Sequence, residues 1–214
     1  MKRRLVSIGF LLLLMAGAAG VRAADGTAAS DPVKLRGWYL GLQGTSGARD
    51  RWDVFNNDDL PPAAVQDVGR GFGLQLGHRF GGRFLLGLHF AVQEHDLAGL
   101  PQKLHDVELL FAGTVLWNER GTLQPFARGG LGGSAVAVDR AGGHIIAIGT
   151  AATAGGGLQV RLGAGFALEA EAALTFANLL EVRDQDSDGA TDDDWRVKAS
   201  QVGWRTGVGV VVWF

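Results

Sequence analysis

From residue 37 onward, apolar residues recur at every second position, in runs separated by glycine-rich or polar segments. The final run, QVGWRTGVGVVVWF (201–214), sets Val202, Trp204, Thr206, Val208, Val210, Val212 and Phe214 on one face. Gln201, Gly203, Arg205, Gly207, Gly209, Val211 and Trp213 fall on the other. Strand side chains alternate between faces, so a period of two predicts a strand with one continuous oily side. Strong runs of the same kind are GWYLGLQG (37–44), GFGLQLGHRF (71–80), FLLGLHFAV (84–92), DVELLFAGTVLW (106–117) and FALEAEAALTF (166–176). LQPFARGGLGG (123–133) and TAATAGGGLQVRL (150–162) are weaker. The run at 166–176 is rich in helix formers, but a helix would put Glu169 and Glu171 on different faces, whereas strict alternation keeps them together. Eight strands are therefore expected.

The links between these runs alternate in length. Short turns fall at Gly81–Gly82, Asn118–Gly121 and Gly163–Gly165, and long links at about 46–67, 94–104, 137–149 and 177–196. That rhythm predicts an up-and-down antiparallel barrel with tight turns at one end and loops at the other. The non-oily face carries Arg79, Arg83, His89, Asp106, Glu108, Arg128, Arg161, Glu169, Glu171 and Arg205 among many glycines. Eight strands enclose only enough room for side chains, so small residues and paired charges belong inside and the oily face meets lipid. A closed barrel tolerates this because every backbone group finds a partner. Trp38, Phe80, Phe84, Trp117, Phe166 and Phe214 lie toward the short-turn end of the oily face. Phe72, Phe90, Phe176 and Trp204 lie toward the loop end. Two aromatic girdles suit the two membrane–water interfaces. The expected fold class is all-β: an eight-stranded antiparallel up-and-down transmembrane β-barrel over residues 35–214. A β-sandwich would leave the one-sided strands and the terminal aromatic unexplained.

The N-terminus bears on compartment. Lys2, Arg3 and Arg4 precede the apolar core IGFLLLLMA (8–16), and VRA (21–23) offers small residues for cleavage. Residues 1–23 read as a secretory signal peptide, and residues 24–34 as a flexible lead. Removing the signal leaves 16 cations against 22 acids, a formal net charge of −6. No nucleic-acid partner is expected. With no cysteine, disulfides and thiolate metal sites are excluded. Glycine, at 34 of 214 residues, is about double its usual share, as a crowded lumen would need.

GWYLGLQG at the first strand, QPFARGGLGG at the fifth and VGVGVVVWF at the end carry a resemblance. The chain resembles the small eight-stranded outer-membrane β-barrels, the family of outer membrane protein A and the porin-like opacity proteins. That resemblance implies placement in a Gram-negative outer membrane, contact with its lipid and lipopolysaccharide, and a barrel that works as a monomer. It also implies that Phe214, with Val212 and Val210, forms the signal read by the barrel-assembly machinery.

Four further features carry candidate chemistry. DQDSDGATD (184–192) places Asp184, Asp186, Asp188 and Asp192 at positions 1, 3, 5 and 9 of a calcium loop, with Gly189 at the turn position. Trp195 stands where an EF-hand has its bidentate Glu, so weak calcium binding is the most this segment offers. Inside the barrel, Glu108, Arg128, Arg161, Glu169, Glu171 and Arg205 are expected to form a charge network that plugs the lumen. Arg70, Arg196 and Lys198 share the outward parity near the loop end, where they would meet lipopolysaccharide phosphates. No enzyme is expected: His105 points outward, Ser134 inward, and Ser200 lies elsewhere, so no Ser–His–acid set assembles. The five histidines are scattered without metal spacing. The functional expectation is a non-enzymatic barrel with a plugged lumen and interacting loops. The alternative is a small porin or a hydrophobic-ligand conduit like outer membrane protein W.

Overall fold

The computed structural model describes residues 37–49, 68–96, 103–118, 121–140, 143–163, 165–186 and 191–214; for 140, 184–186 and 191–199 it describes the backbone only. The expected signal peptide and lead (1–34) lie outside the described residues. Eight strands succeed one another in order: β1 (Gly37–Arg49), β2 (Gly69–Phe80), β3 (Phe84–Asp96), β4 (Lys103–Leu116), β5 (Leu123–Arg140), β6 (Gly143–Arg161), β7 (Phe166–Asp186) and β8 (Thr191–Trp213). Each pairs antiparallel with its sequence neighbours, and β8 pairs with β1, which closes the barrel. The closing ladder runs from Tyr39↔Trp213 to Arg49↔Gly203. Below it, Trp38 and Phe214 exchange backbone bonds of 3.0 and 3.1 Å.

The strands run further toward the loop end than the hydrophobic pattern indicates. The expected links 137–149 and 177–196 are largely wall, and so are the two ends of 94–104: Glu94 pairs with His105, Val136 with Ala147, and Val182 with Trp195. The oily alternation stops where lipid stops, but backbone pairing does not need lipid, so these extensions were invisible as strands. Bulges at Ile148/Gly149 and Leu179/Glu181 add a residue to one strand and re-aim the side chains beyond it.

Side chains alternate in and out as the period of two requires. Outside, Leu40, Leu42, Leu74, Leu76, Leu86, Leu88, Phe111, Leu168, Leu174 and Val208 form an exposed apolar band. Trp38, Phe80, Phe84, Trp117 and Phe214 are exposed along its short-turn edge. On β2 the band spans Phe72 to Phe80, about 27 Å of strand at the usual rise. A barrel tilt of about 40° projects this to about 20 Å, close to a membrane's apolar thickness.

The interior has three levels. At the short-turn end, Tyr39, Leu85, Leu116, Phe126, Ala167, Val211 and Trp213 form a buried apolar floor. Directly paired Gly77 and Gly87 leave the space that Tyr39 fills. The middle level is charged. Above it, Leu104, Val136, Val138, Ile145, Ala147, Leu179 and Val182 are buried on adjoining rows of β4–β7. The expectation of a small and polar interior therefore holds best for the middle level, although Arg79 and Gln124 are buried toward the floor and His95 in the row of Leu104. At the floor, inward aromatics replace solvent as the filler.

Candidate functional site: a charged layer inside the barrel

The middle level has two halves. In the first, Arg128 of β5 reaches β7. Its Nη1 donates to Glu169 Oε1 at 3.1 Å and to Glu171 Oε2, its Nη2 donates to Glu169 Oε2 at 3.2 Å, and its Nε donates to Thr114 Oγ1 at 2.9 Å. Its guanidinium also lies 4.9 Å from the Phe126 ring centroid, a cation–π contact that ties the layer to the floor. Glu169 accepts two amide donors besides, Gln75 Nε2 at 2.9 Å and Gln159 Nε2 at 2.6 Å. Its carboxylate thus has the multiple partners that a buried charge requires.

In the second half, Arg49 of β1 crosses to β4. Its Nε and Nη2 donate to the two oxygens of Asp106 at 2.7 and 2.5 Å, a fork-on-fork pair of the kind only a planar guanidinium makes. Nη2 also reaches Glu108 Oε1 at 3.0 Å and Ser134 Oγ at 3.1 Å, and Nη1 reaches Gln201 Oε1 at 3.2 Å. Arg205 of β8 donates to Glu108 Oε2 at 2.7 Å. His89 of β3 reaches the adjacent pair β1 and β8: Arg205 Nη2 lies 3.4 Å from its Nδ1, and Gln43 Nε2 lies 2.9 Å from its Nε2.

Three cations and four carboxylates are thus held at a few per cent exposure. Separate charges at this depth would be costly, and pairing with added hydrogen bonds is what makes them tolerable. The bonds run across the lumen, from β1 to β4, β2 to β7, β5 to β7 and β8 to β4. They brace opposite walls and occupy the channel axis. A small open crevice lined by Arg49, Gln93, Asp106, Glu108, Thr175 and Arg205 sits beside the second half.

The structure brings together five of the six residues expected in the lumen: Glu108, Arg128, Glu169, Glu171 and Arg205. Arg161 is a correction. It is half-buried at the last position of β6, where its backbone N–H donates to Thr122, and no bond of the network includes it. Its row lies two pairs below Gln159↔Glu169, beside Ala167 of the floor and beneath the charged layer. Arg83, expected inward, is exposed in the β2–β3 turn. The network's main addition is Arg49, which lies in a stretch expected to be loop. It shares odd parity with Tyr39, Gln43 and Gly47, so extending the first strand by five residues would have found it. The outward residues there, Ser46 and Ala48, carry no oil to mark the strand.

Arg70 is exposed on the outer face, opposite Glu94 in the β2–β3 ladder. Arg196 lies in β8 opposite Glu181, and Lys198 also lies in β8; their side chains fall outside the described residues. Of the acidic segment, Asp184, Asp186 and Asp192 belong to the β7 and β8 backbones, with Asp184 paired to Asp193, while Asp188 lies outside the described residues. The expected loop is here a hairpin, because the ladder continues past the bulge at Asp184/Gln185. Ser134 is buried against Arg49, Ser200 is exposed, and His105 is on the outer face.

No protein-family model matches the chain, and a search of the curated proteins finds no match. Solved structures do match. Neisserial surface protein A superposes with a TM-score of 0.53 at 13% identity, covering 83% of this chain and 97% of that one. A major outer membrane protein from Thermus thermophilus gives 0.54 at 12% identity, covering 83% and 99%. At such identities the likeness is one of fold. With the closed eight-strand ladder and the exposed apolar band, it defines the class: the chain has the fold of the small transmembrane β-barrels of the outer membrane.

Proposed function

We propose that this chain is a non-enzymatic monomeric barrel of the Gram-negative outer membrane, whose closed lumen makes it a rigid scaffold for its surface loops. One observation carries this reading: two successive blocks fill the lumen. The braced charge layer crosses it, and the Tyr39–Leu85–Leu116–Phe126–Val211–Trp213 floor lies beneath, each residue at most 7% exposed. The separation of Ser134 from His105 by the barrel wall supports the non-enzymatic part. Arg70, Arg196 and Lys198 are offered to lipopolysaccharide phosphates, and Phe214 to the assembly machinery. Weak calcium binding at Asp184, Asp186, Asp188 and Asp192 would brace the β7–β8 tip; calorimetric titration at millimolar calcium tests it, and absence of heat removes it.

Planar-bilayer recording tests the main reading. The expected result is no steady channel; a reproducible single-channel conductance would overturn it. The apolar rows above the charge layer favour a second reading, in which the mouth admits an apolar solute. Uptake of such a solute by vesicles or cells carrying the protein, lost on Val136→Asp, would establish that alternative.

A further inference from the structure

Outside the barrel, at the loop end, three side chains from three strands meet. Asp139 of β5 and His144 of β6 are directly opposed in the ladder. His105 of β4 is opposite Ala137, one outward position from Asp139. Their side chains are about 35–57% exposed. Asp139 Oδ1 lies 2.8 Å from His144 Nδ1, and its other oxygen lies 3.8 Å from His105 Nε2. Nothing in the linear order announces this group, since His105 and His144 lie far apart in sequence. The β4–β5–β6 register alone brings them together.

We propose that His105, Asp139 and His144 form a binding site for a divalent transition ion, with zinc as the reference ion, at the outer rim of the membrane-facing wall. Two imidazoles and one carboxylate are a borderline donor set suited to zinc, and three protein ligands leave a fourth position open to water or a headgroup oxygen. Ligand atoms on a tetrahedral ion with bonds of about 2.0–2.1 Å stand about 3.3 Å apart. The two contacts, at 2.8 and 3.8 Å, lie on either side of that spacing. In the present arrangement no group of three His, Asp or Glu side chains among the described residues could hold a metal ion; His144 hydrogen-bonds the carboxylate instead, and the site requires the three side chains to turn toward a common point. Rotation of exposed side chains allows this, while paired strands hold the backbone at a spacing where opposed and diagonal neighbours touch. Lys103, on the same strand as His105, is engaged by Glu94, so it does not neutralise Asp139. The outward positions directly below the trio, Val107, Ala137 and Ile146, are apolar, which sets the ion at headgroup depth.

The test uses the full chain without a polyhistidine tag, folded in vesicles of zwitterionic lipid. Zinc chloride is titrated by calorimetry and cobalt(II) by visible absorption, whose intensity reports tetrahedral coordination. One ion per chain is expected. His105→Ala, Asp139→Asn and His144→Ala should each weaken it at least about tenfold, the lower bound for disturbing a metal's ligand environment. The double variant Asp186→Ala/Asp188→Ala should leave it unchanged. Heat-modifiable migration confirms that every variant is folded. Absence of saturable binding, retention of affinity in any one of the three variants, or loss in the acidic double variant would overturn the proposal.

Discussion

Removing Arg128 tests the charge layer most directly. Arg128→Met keeps the length and the apolar stem over Phe126 but takes away every donor. Glu169 keeps the amides of Gln75 and Gln159; Glu171 loses the one donor that the network supplies to it. Two carboxylates would then share a low-dielectric site with no cation between them. Breaking one side of a buried ion pair costs about 3–5 kcal/mol, mostly the penalty of the stranded charge rather than the worth of the bonds. That origin sets the second half of the prediction. Arg128→Met combined with Glu169→Gln and Glu171→Gln removes the stranded charge, so it should recover at least about half of the loss. Arg128→Lys should fall between, since an ammonium is a point charge and cannot fork across both carboxylates. Urea unfolding of the barrel in lipid vesicles, followed by the fluorescence of its six tryptophans and checked by gel migration, gives the free energies. A single variant within about 1 kcal/mol of the parent, or a triple variant less stable than the single, would show that the layer is not held by mutual charge compensation.

Three other outcomes are expected of the same structure. Gly87→Ala places a methyl 2.9 Å from Tyr39 Oη and 2.7 Å from the Gly77 Cα, and should cost about 1–3 kcal/mol by overpacking the floor, read as a lower urea midpoint. Leu88→Arg, on the outer face between Leu76 and Phe111, should cost about 2–4 kcal/mol in a bilayer, whereas Val92→Arg, nearer the rim, should cost about 0–1; equal costs would contradict the placement of the lipid band. Lys103 holds the Glu94 carboxyl below its ordinary range through a direct hydrogen bond. A depressed carboxyl stabilises the fold above its ordinary range and loses that contribution as the pH falls through the lowered value, so Lys103→Met should return the Glu94 titration, followed by carbon NMR, to the ordinary range.

Most of the architecture was legible because lipid imposes a rule on the chain. Every outward residue between Phe72 and Phe80 must be oily except at His78, and eight such runs leave little choice of fold. The network was legible only where it lay inside those runs, as with Arg128, Glu169, Glu171 and Arg205. Arg49 was hidden because its strand leaves the lipid at Ser46. Arg161 was misplaced because parity tells which face a residue takes but not at what height along a tilted strand it stands. The His105–Asp139–His144 group was hidden for a third reason: it depends on register between strands, and register is a property of pairing rather than of any one segment.

Among the described residues, the wall is not of even height. β1 to β4 have 12 to 14 residues each, and β5 to β8 have 18 to 23. At the usual rise and tilt, an excess of about seven residues lifts one side on the order of 20 Å above the other. The described wall therefore stands in its bilayer like a chair with a high back. Of that wall, a large probe arriving from the loop side reaches the upper rows of β5 to β8 before the rims of β1 to β4.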